Sequence, residues 1–233
     1  MEDARSKLMR FMNSVEELCE EVETVRGFCY LGDMVNAGGG YEVTVTARAR
    51  IGWVKFKGMQ GVAELKQFSL KLKGMVYRSC VRSAMLYGSE TWCLRENEMA
   101  ILRRTERAMV RAMCGAKLME KRRTEDLMEM LGLKETAVQM AKANGVRWYR
   151  LVLRRDDGHV LRKALEFEVR GKRKRGRPKK TWKTQVEKES KSIGLEKKDT
   201  MNRARWRAGV REIAAGVNLA TPIYGDNPGS KLG

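Results

Sequence analysis

Eleven residues, Arg170 to Lys180, read RGKRKRGRPKK and hold eight Lys or Arg with no acid. Charges of one sign packed so densely repel one another in a folded core, so the segment must be solvated or bound to a polyanion. Its finer chemistry suits a nucleic acid. Pro178 biases Arg177 toward extended backbone, and Gly176 carries no side chain to hold the main chain off a groove floor. Arg175 and Arg177 could then follow a narrow, strongly negative minor groove. Lys172, Arg173, Lys174, Lys179 and Lys180 would meet phosphates on both sides. If ~6 phosphates are neutralised, log affinity falls with log salt at a slope of roughly −5. A nuclear-import signal needs the same exposed cations, and a solvated linker without a partner is the third alternative. Trp182, just past the run, reads as the first core residue of the next helix rather than a stacking platform.

A second set of cations is spaced for a helix. Arg103, Arg107 and Arg111 recur every four residues, with Arg104 on one flank, while Glu98 and Glu106 offer partners three or four residues away. Such a stripe either stays solvated or touches phosphates. Arg150, Arg154 and Arg155 surround Trp148 and Tyr149, which could pack in a core or stack on bases. Asp156-Asp157 is the one paired carboxylate that invites a catalytic role. Two-metal phosphoryl transfer needs carboxylates converging from separated positions on a rigid sheet, and no third acid or strand-rich segment is present to meet them. A solvated turn is the expectation. The single histidine, His159, and five scattered cysteines without a C-x-x-C pair argue against a structural zinc site and against disulfides. No catalytic residue, metal or cofactor is expected, and the compartment is expected to be reducing.

The elements that position these groups must fold under a heavy charge. The chain has 233 residues, of which 42% are hydrophobic and 33% charged, with a formal net charge of +19. Taking away the eight charges of the run still leaves +11, so the positive field is not confined to one segment. Residues 1–27 are an exception, with four Lys or Arg against seven acids. No stretch approaches the ~20 apolar residues a membrane-spanning helix needs, and the acidic start MEDARSKLMRF does not resemble a secretory signal.

Periodicity predicts a mainly α fold. Leu8, Phe11, Met12, Val15, Leu18 and Val22 mark a helix over 5–24, with Glu16, Glu17, Glu20, Glu21 and Glu23 on an acidic face. Phe28 to Val35 reads as a short strand or hairpin ahead of Asn36 and Gly38-Gly39-Gly40. Residues 41–57 are ambiguous and lean helical. A helix over 70–86 would place Leu72, Met75, Val76, Cys80, Ser83, Ala84 and Tyr87 on one side, broken by Gly88 before a turn at Glu90-Thr91-Trp92. The next runs from Glu96 to Cys114 with Leu102, Thr105, Met109 and Met113 inward, and Gly115 ends it. Thr124 would cap a short helix closed by Gly132. A long helix over 134–155 and two more, 182–193 and 198–215, complete the set. Residues 221–233 should be disordered.

Several blocks, taken in order, resemble the C-terminal part of a non-LTR (LINE-type) retrotransposon reverse transcriptase. They are FCYLGD at 28–33, AGGG at 37–40, SLKLKGMVYRSCVRSAMLYGSETW at 69–92 and LRRTERAMVRAMCG at 102–115. RW at 147–148, GRPKKTW at 176–182 and NRARWR at 202–207 follow. The resemblance spans roughly residues 25–215. It implies that Tyr30, Leu31 and Gly32 correspond to a primer-grip turn, that residues 45–115 form a helical thumb, and that later residues form a nucleic-acid-binding section. The family's catalytic motif, an aromatic, a small residue and two aspartates, lies upstream of the YLG block and does not occur in this sequence. Where the family usually has Gly-His after the Arg-Trp-aromatic element, this chain has Arg150-Leu151, which suggests an eroded copy. Arg175-Gly176-Arg177-Pro178 also resembles the core of an AT-hook.

The resulting expectation is a non-enzymatic, nuclear protein (cytoplasmic if the run is no import signal) that holds DNA, RNA or a hybrid duplex by charge. It divides into an acidic helix (1–27), a hairpin and thumb-like region (28–115), a helical section (116–169), the basic linker (170–181), C-terminal helices (182–216) and a tail (217–233). A separate palm domain or another retroelement protein is an expected partner, and a membrane is not. A helical protein-interaction domain, an enzyme whose palm arrives from another chain, and a functionless relic are the alternatives. Exposed Phe28, Leu31 and Trp92 would favour aggregation.

Overall fold

A computed structural model describes residues 27–30, 32–36, 40–59, 68–167 and 180–216. The expected acidic helix, Leu31, the basic run up to Lys179 and the C-terminal tail lie outside these residues. Two compact units are present, Met1–Gly39 and Gly40–Gly233.

In the first unit, β1 (Gly27–Tyr30) pairs antiparallel with β2 (Asp33–Asn36), with Tyr30 opposite Asp33 and Gly27 opposite Asn36. Gly32 lies in the turn between them. It has φ +82°, a left-handed conformation that side chains resist, and this decides for a hairpin rather than a single strand. Phe28 and Tyr30 are exposed, their rings 6.4 Å apart edge to face.

The second unit is helical. Its elements are α1 (Glu42–Gly58), α2 (Leu70–Val76), a π-helical turn (Tyr77–Arg82) running into α3 (Ser83–Met85), α4 (Glu96–Met113) and α5 (Thr124–Met130). Then come α6 (Ala137–Leu153), α7 (Val160–Glu166), α8 (Trp182–Ser192) and α9 (Arg203–Ala215), with short 3-10 turns between some of them. The mainly α fold with a small antiparallel hairpin is as expected. The ambiguous 41–57 segment is helix, because Val45, Ala49 and Phe56 recur on one buried side and outweigh the β-branched start. Gly115, Gly132 and Gly194 follow their helices in left-handed backbone, as their positions predict. Thr124 is the first helical residue of α5 instead of its cap; Arg123 takes that place without a side-chain bond. The short α7 had no sequence signal strong enough to separate it from its neighbours.

Three apolar clusters hold this unit. The first joins Phe56, Tyr77, Val81, Met109, Met113 and Leu127. The second joins Val45, Met85, Trp92, Leu102, Ala137 and Ala141. The third joins Val146, Tyr149, Val186, Trp206, Val210 and Ile213. Helix α6 serves the last two and α4 the first two, so these helices are the spine of the fold. Trp92 is only 2% exposed, contrary to the expected open surface, because Leu94, Met85 and the start of α6 enclose it.

The helix through residue 77 turns a different face inward from the one predicted. Gly74, Tyr77, Val81, Arg82 and Met85 are buried, whereas Leu72, Met75, Cys80, Ser83 and Tyr87 are exposed. Two interactions decide this. Arg82 Nη2 meets Glu106 Oε1 at 2.8 Å inside the core, and the Tyr77 hydroxyl donates to the same oxygen at 3.2 Å. A Cβ on Gly74 would stand 1.9 Å from the Leu131 carbonyl oxygen, so the missing side chain lets α2 lie directly against the end of α5.

Candidate nucleic-acid interface

The expected interface begins at the basic run, of which Lys180 is the described member. Its Nζ donates to the Leu94 carbonyl at 2.9 Å, and Cys93 Sγ donates to the Lys180 carbonyl at 3.4 Å. Trp182 follows at the start of α8; its Nε1 donates to the Glu90 carbonyl at 2.8 Å, and its ring meets Tyr149 edge to face at 6.1 Å. Thr181 caps the same helix by accepting from the Thr184 amide. The chain leaving the run is therefore fastened to the 90–94 loop by three hydrogen bonds. Trp182 acts as a packing residue, as its sequence context indicated. Lys180 anchors the run and keeps further N–H donors. Lys172, Arg173, Lys174, Arg175, Gly176, Arg177, Pro178 and Lys179 lie outside the described residues.

On α4 the arginine stripe is only partly as expected. Arg103 and Arg107 are exposed, and Arg103 Nη1 lies 2.6 Å from Glu96 Oε1. Arg107 makes no ion pair among the described residues. Arg111 is a correction: it is 8% exposed, and its guanidinium donates to the Lys117 and Arg122 carbonyls, pinning the loop after α4. It follows two buried residues, Met109 and Val110, on the inward side of the helix. The carboxylates are a second correction. Glu98 accepts from the Arg95 backbone N–H at 2.8 Å as part of a helix cap. Glu106 is buried between Arg82, Tyr77 and the Ala137 amide, which donates to its Oε2 at 2.7 Å. Neither neutralises the stripe.

Arg103 and Arg107 face a cleft of about 510 Å³ whose other wall includes Gln139, Lys142 and Glu189. Lys142 Nζ lies 3.5 Å from Glu189 Oε1. Burial pushes the Glu189 carboxyl above its ordinary range, with Lys142 pulling the other way. Lys142, in the second turn of α6, was not anticipated, since nothing local in sequence links it to Arg107.

The remaining candidates are structural. Asp156 and Asp157 sit in an exposed turn, and Asp157 Oδ1 takes a bond from Arg162 Nη2 at 3.0 Å. His159 caps α7, its Nδ1 accepting from the Leu161 amide at 3.2 Å. Tyr149 is 2% exposed and donates to Glu187 Oε1 at 3.2 Å, so its ring is not offered to bases; burial, then Glu187, pushes its phenol well above the usual range. In the hairpin unit, Tyr30 is 60% exposed beside the Gly32 turn. Among the described residues no group of three or more His, Cys, Asp or Glu could hold a metal ion, and no helix is long and apolar enough to cross a membrane.

No family model matches the chain. It is 25% identical over 142 residues to an uncharacterized transposon-derived protein of Caenorhabditis elegans, an alignment covering 59% of this chain and 50% of the relative. The chain thus matches half the length of that relative. No solved structure matches.

Proposed function

We propose that this chain binds nucleic acid by charge, without catalysing a reaction on it, as the thumb and C-terminal part of a retroelement reverse transcriptase. The observation that carries this is a +19 net charge borne partly by exposed arginines, such as Arg107, that have no acid partner among the described residues. The ordered sequence blocks and the transposon-derived name of the relative support the origin. Under this reading α1 to α4 lie along a template–primer duplex, Tyr30, Leu31 and Gly32 meet the primer end, and Lys172 to Lys180 hold phosphates with Arg103 and Arg107. Arg111 is left out, because it is buried and its guanidinium holds the Lys117 and Arg122 carbonyls. The sequence as given holds no aromatic–small–Asp–Asp motif, so polymerisation would require a palm supplied elsewhere. The basic run would also direct the chain to the nucleus.

The test compares wild type with Lys174→Ala, Arg175→Ala and Arg177→Ala together, on duplex DNA, single-stranded RNA and an RNA–DNA hybrid. Weaker binding by the variant on every arm, and no primer extension by either protein, is the expected result. Undiminished binding would move the weight to a second reading, a protein-interaction domain. Leu72, Met75 and Tyr87, exposed along the α2–α3 helix, favour that alternative.

A further inference from the structure

Helices α6 and α9 pack through Val146 and Tyr149 against Trp206, Val210 and Ile213, and Trp206 Nε1 donates to the Val146 carbonyl at 3.3 Å. Arg150 lies one turn beyond Val146, and Arg203 lies nearly one turn before Trp206. Arg154 is the i+4 neighbour of Arg150, and Arg207 is the i+4 neighbour of Arg203, so two cationic pairs share one end of the packed helices. Arg150 Nε donates to the Thr200 carbonyl at 2.8 Å, which fixes its guanidinium against the turn that leads into α9. Arg154, Arg203 and Arg207 are exposed, and none of the four makes an ion pair among the described residues. The acids on that turn are already occupied: Asp199 faces Arg205 at 3.3 Å and Glu196 faces Lys198 at 2.8 Å. Burial lowers the proton affinity of Arg150, and Arg154, Arg203 and Arg207 lower it further.

We infer that Arg150, Arg154, Arg203 and Arg207 form a second, folded contact for the sugar–phosphate backbone of a nucleic acid. Like charges gathered at one end of two packed helices, with no ion pair among the described residues, repel each other, and a row of phosphates removes that cost while gaining charge-assisted hydrogen bonds. Arg150 is the fixed member, and the three exposed arginines supply most of the phosphate donors. In sequence the two pairs are about fifty residues apart, and the packing of α9 on α6 with the Arg150–Thr200 bond unites them. This inference rests on the proposed nucleic-acid binding and adds a surface independent of the basic run.

The test is a salt-titrated binding series with Arg154→Ala, Arg203→Ala and Arg207→Ala combined, leaving Arg150 and its Thr200 bond in place. The arms are duplex DNA, single-stranded RNA, an RNA–DNA hybrid and phosphatidylserine vesicles, and each variant's melting temperature is recorded. The salt slope on nucleic acid should shrink by about three, one for each phosphate no longer neutralised, with melting unchanged. Should the triple variant melt early, Arg207→Glu alone serves, and it should still weaken binding. An unchanged slope in the triple variant, alongside a reduced one in the basic-run variant, overturns this patch and spares the general reading. Wild type that binds no nucleic acid overturns both. Loss confined to the vesicle arm would reassign the patch to lipid headgroups and overturn it as stated.

Discussion

Arg82 is 1% exposed, and its Nη2 donates a hydrogen bond to Glu106 Oε1 at 2.8 Å, a buried ion pair. Removing one member of such a pair strands the other, at a cost of about 3–5 kcal/mol, more than the pair itself contributes over an apolar replacement. Glu106→Ala should therefore lower unfolding stability by at least that amount in urea titrations, and replacing Arg82 and Glu106 together by Met should cost less, the remainder coming from the Tyr77 hydroxyl and Ala137 amide left without their shared acceptor. Tyr77 shares the oxygen, and burial, reinforced by Glu106, holds its phenol protonated far into alkaline solution. Glu189 behaves differently. Its folded-state proton affinity is raised, so the folded protein binds that proton more tightly than the unfolded chain does. Its contribution to stability is thus greatest below the unfolded carboxylate pKa and is lost as pH rises through the folded value. Glu189→Gln should flatten the fall in melting temperature across that window; an unaltered pH profile would show that the buried carboxyl does not titrate there.

At the scale of elements, close contact between helix backbones matters more than helix propensity. Gly74 lets α2 reach the Leu131 carbonyl, so Gly74→Ala should destabilise by about 1–3 kcal/mol despite alanine's better propensity. Gly158, with nothing within 4 Å of a built Cβ, is the control and should tolerate alanine. The positions of α4, α6, α8 and α9 were legible because Leu102, Met109 and Met113, or Val146 and Tyr149, repeat at helical steps between glycine stops. The inward face of the residue 70–86 helix was not. Its core includes a glycine and an arginine, two types that hydrophobic periodicity counts as outside, and its middle turn is π-helical, which displaces the repeat. Arg111 was misread for the same reason: a spacing of four marks one helix face but does not say whether that face meets water. The arginines of α6 and α9 were visible singly, and their neighbourhood was not, since the packing of Trp206 brings them together.

For the whole molecule the governing quantity is charge. The folded helical unit buries Glu98 and Glu106 in a helix cap and a core pair, while Glu96, Glu125, Asp126, Glu129, Asp156 and Asp157 stay exposed, so the positive field outside comes from the larger number of Lys and Arg, 48 against 29 acids. A single exposed contact such as Arg107 should matter modestly: Arg107→Ala should leave melting unchanged and reduce the salt slope by about one. Binding energy dominated by released counterions predicts a steep, sequence-tolerant affinity rather than a selective one. The most direct measurement is the slope of log affinity against log salt for the intact chain on a fixed duplex. A slope of roughly −5 or steeper, set by ~6 or more phosphates, agrees with the account. A flat dependence, or no binding at low ionic strength, contradicts it.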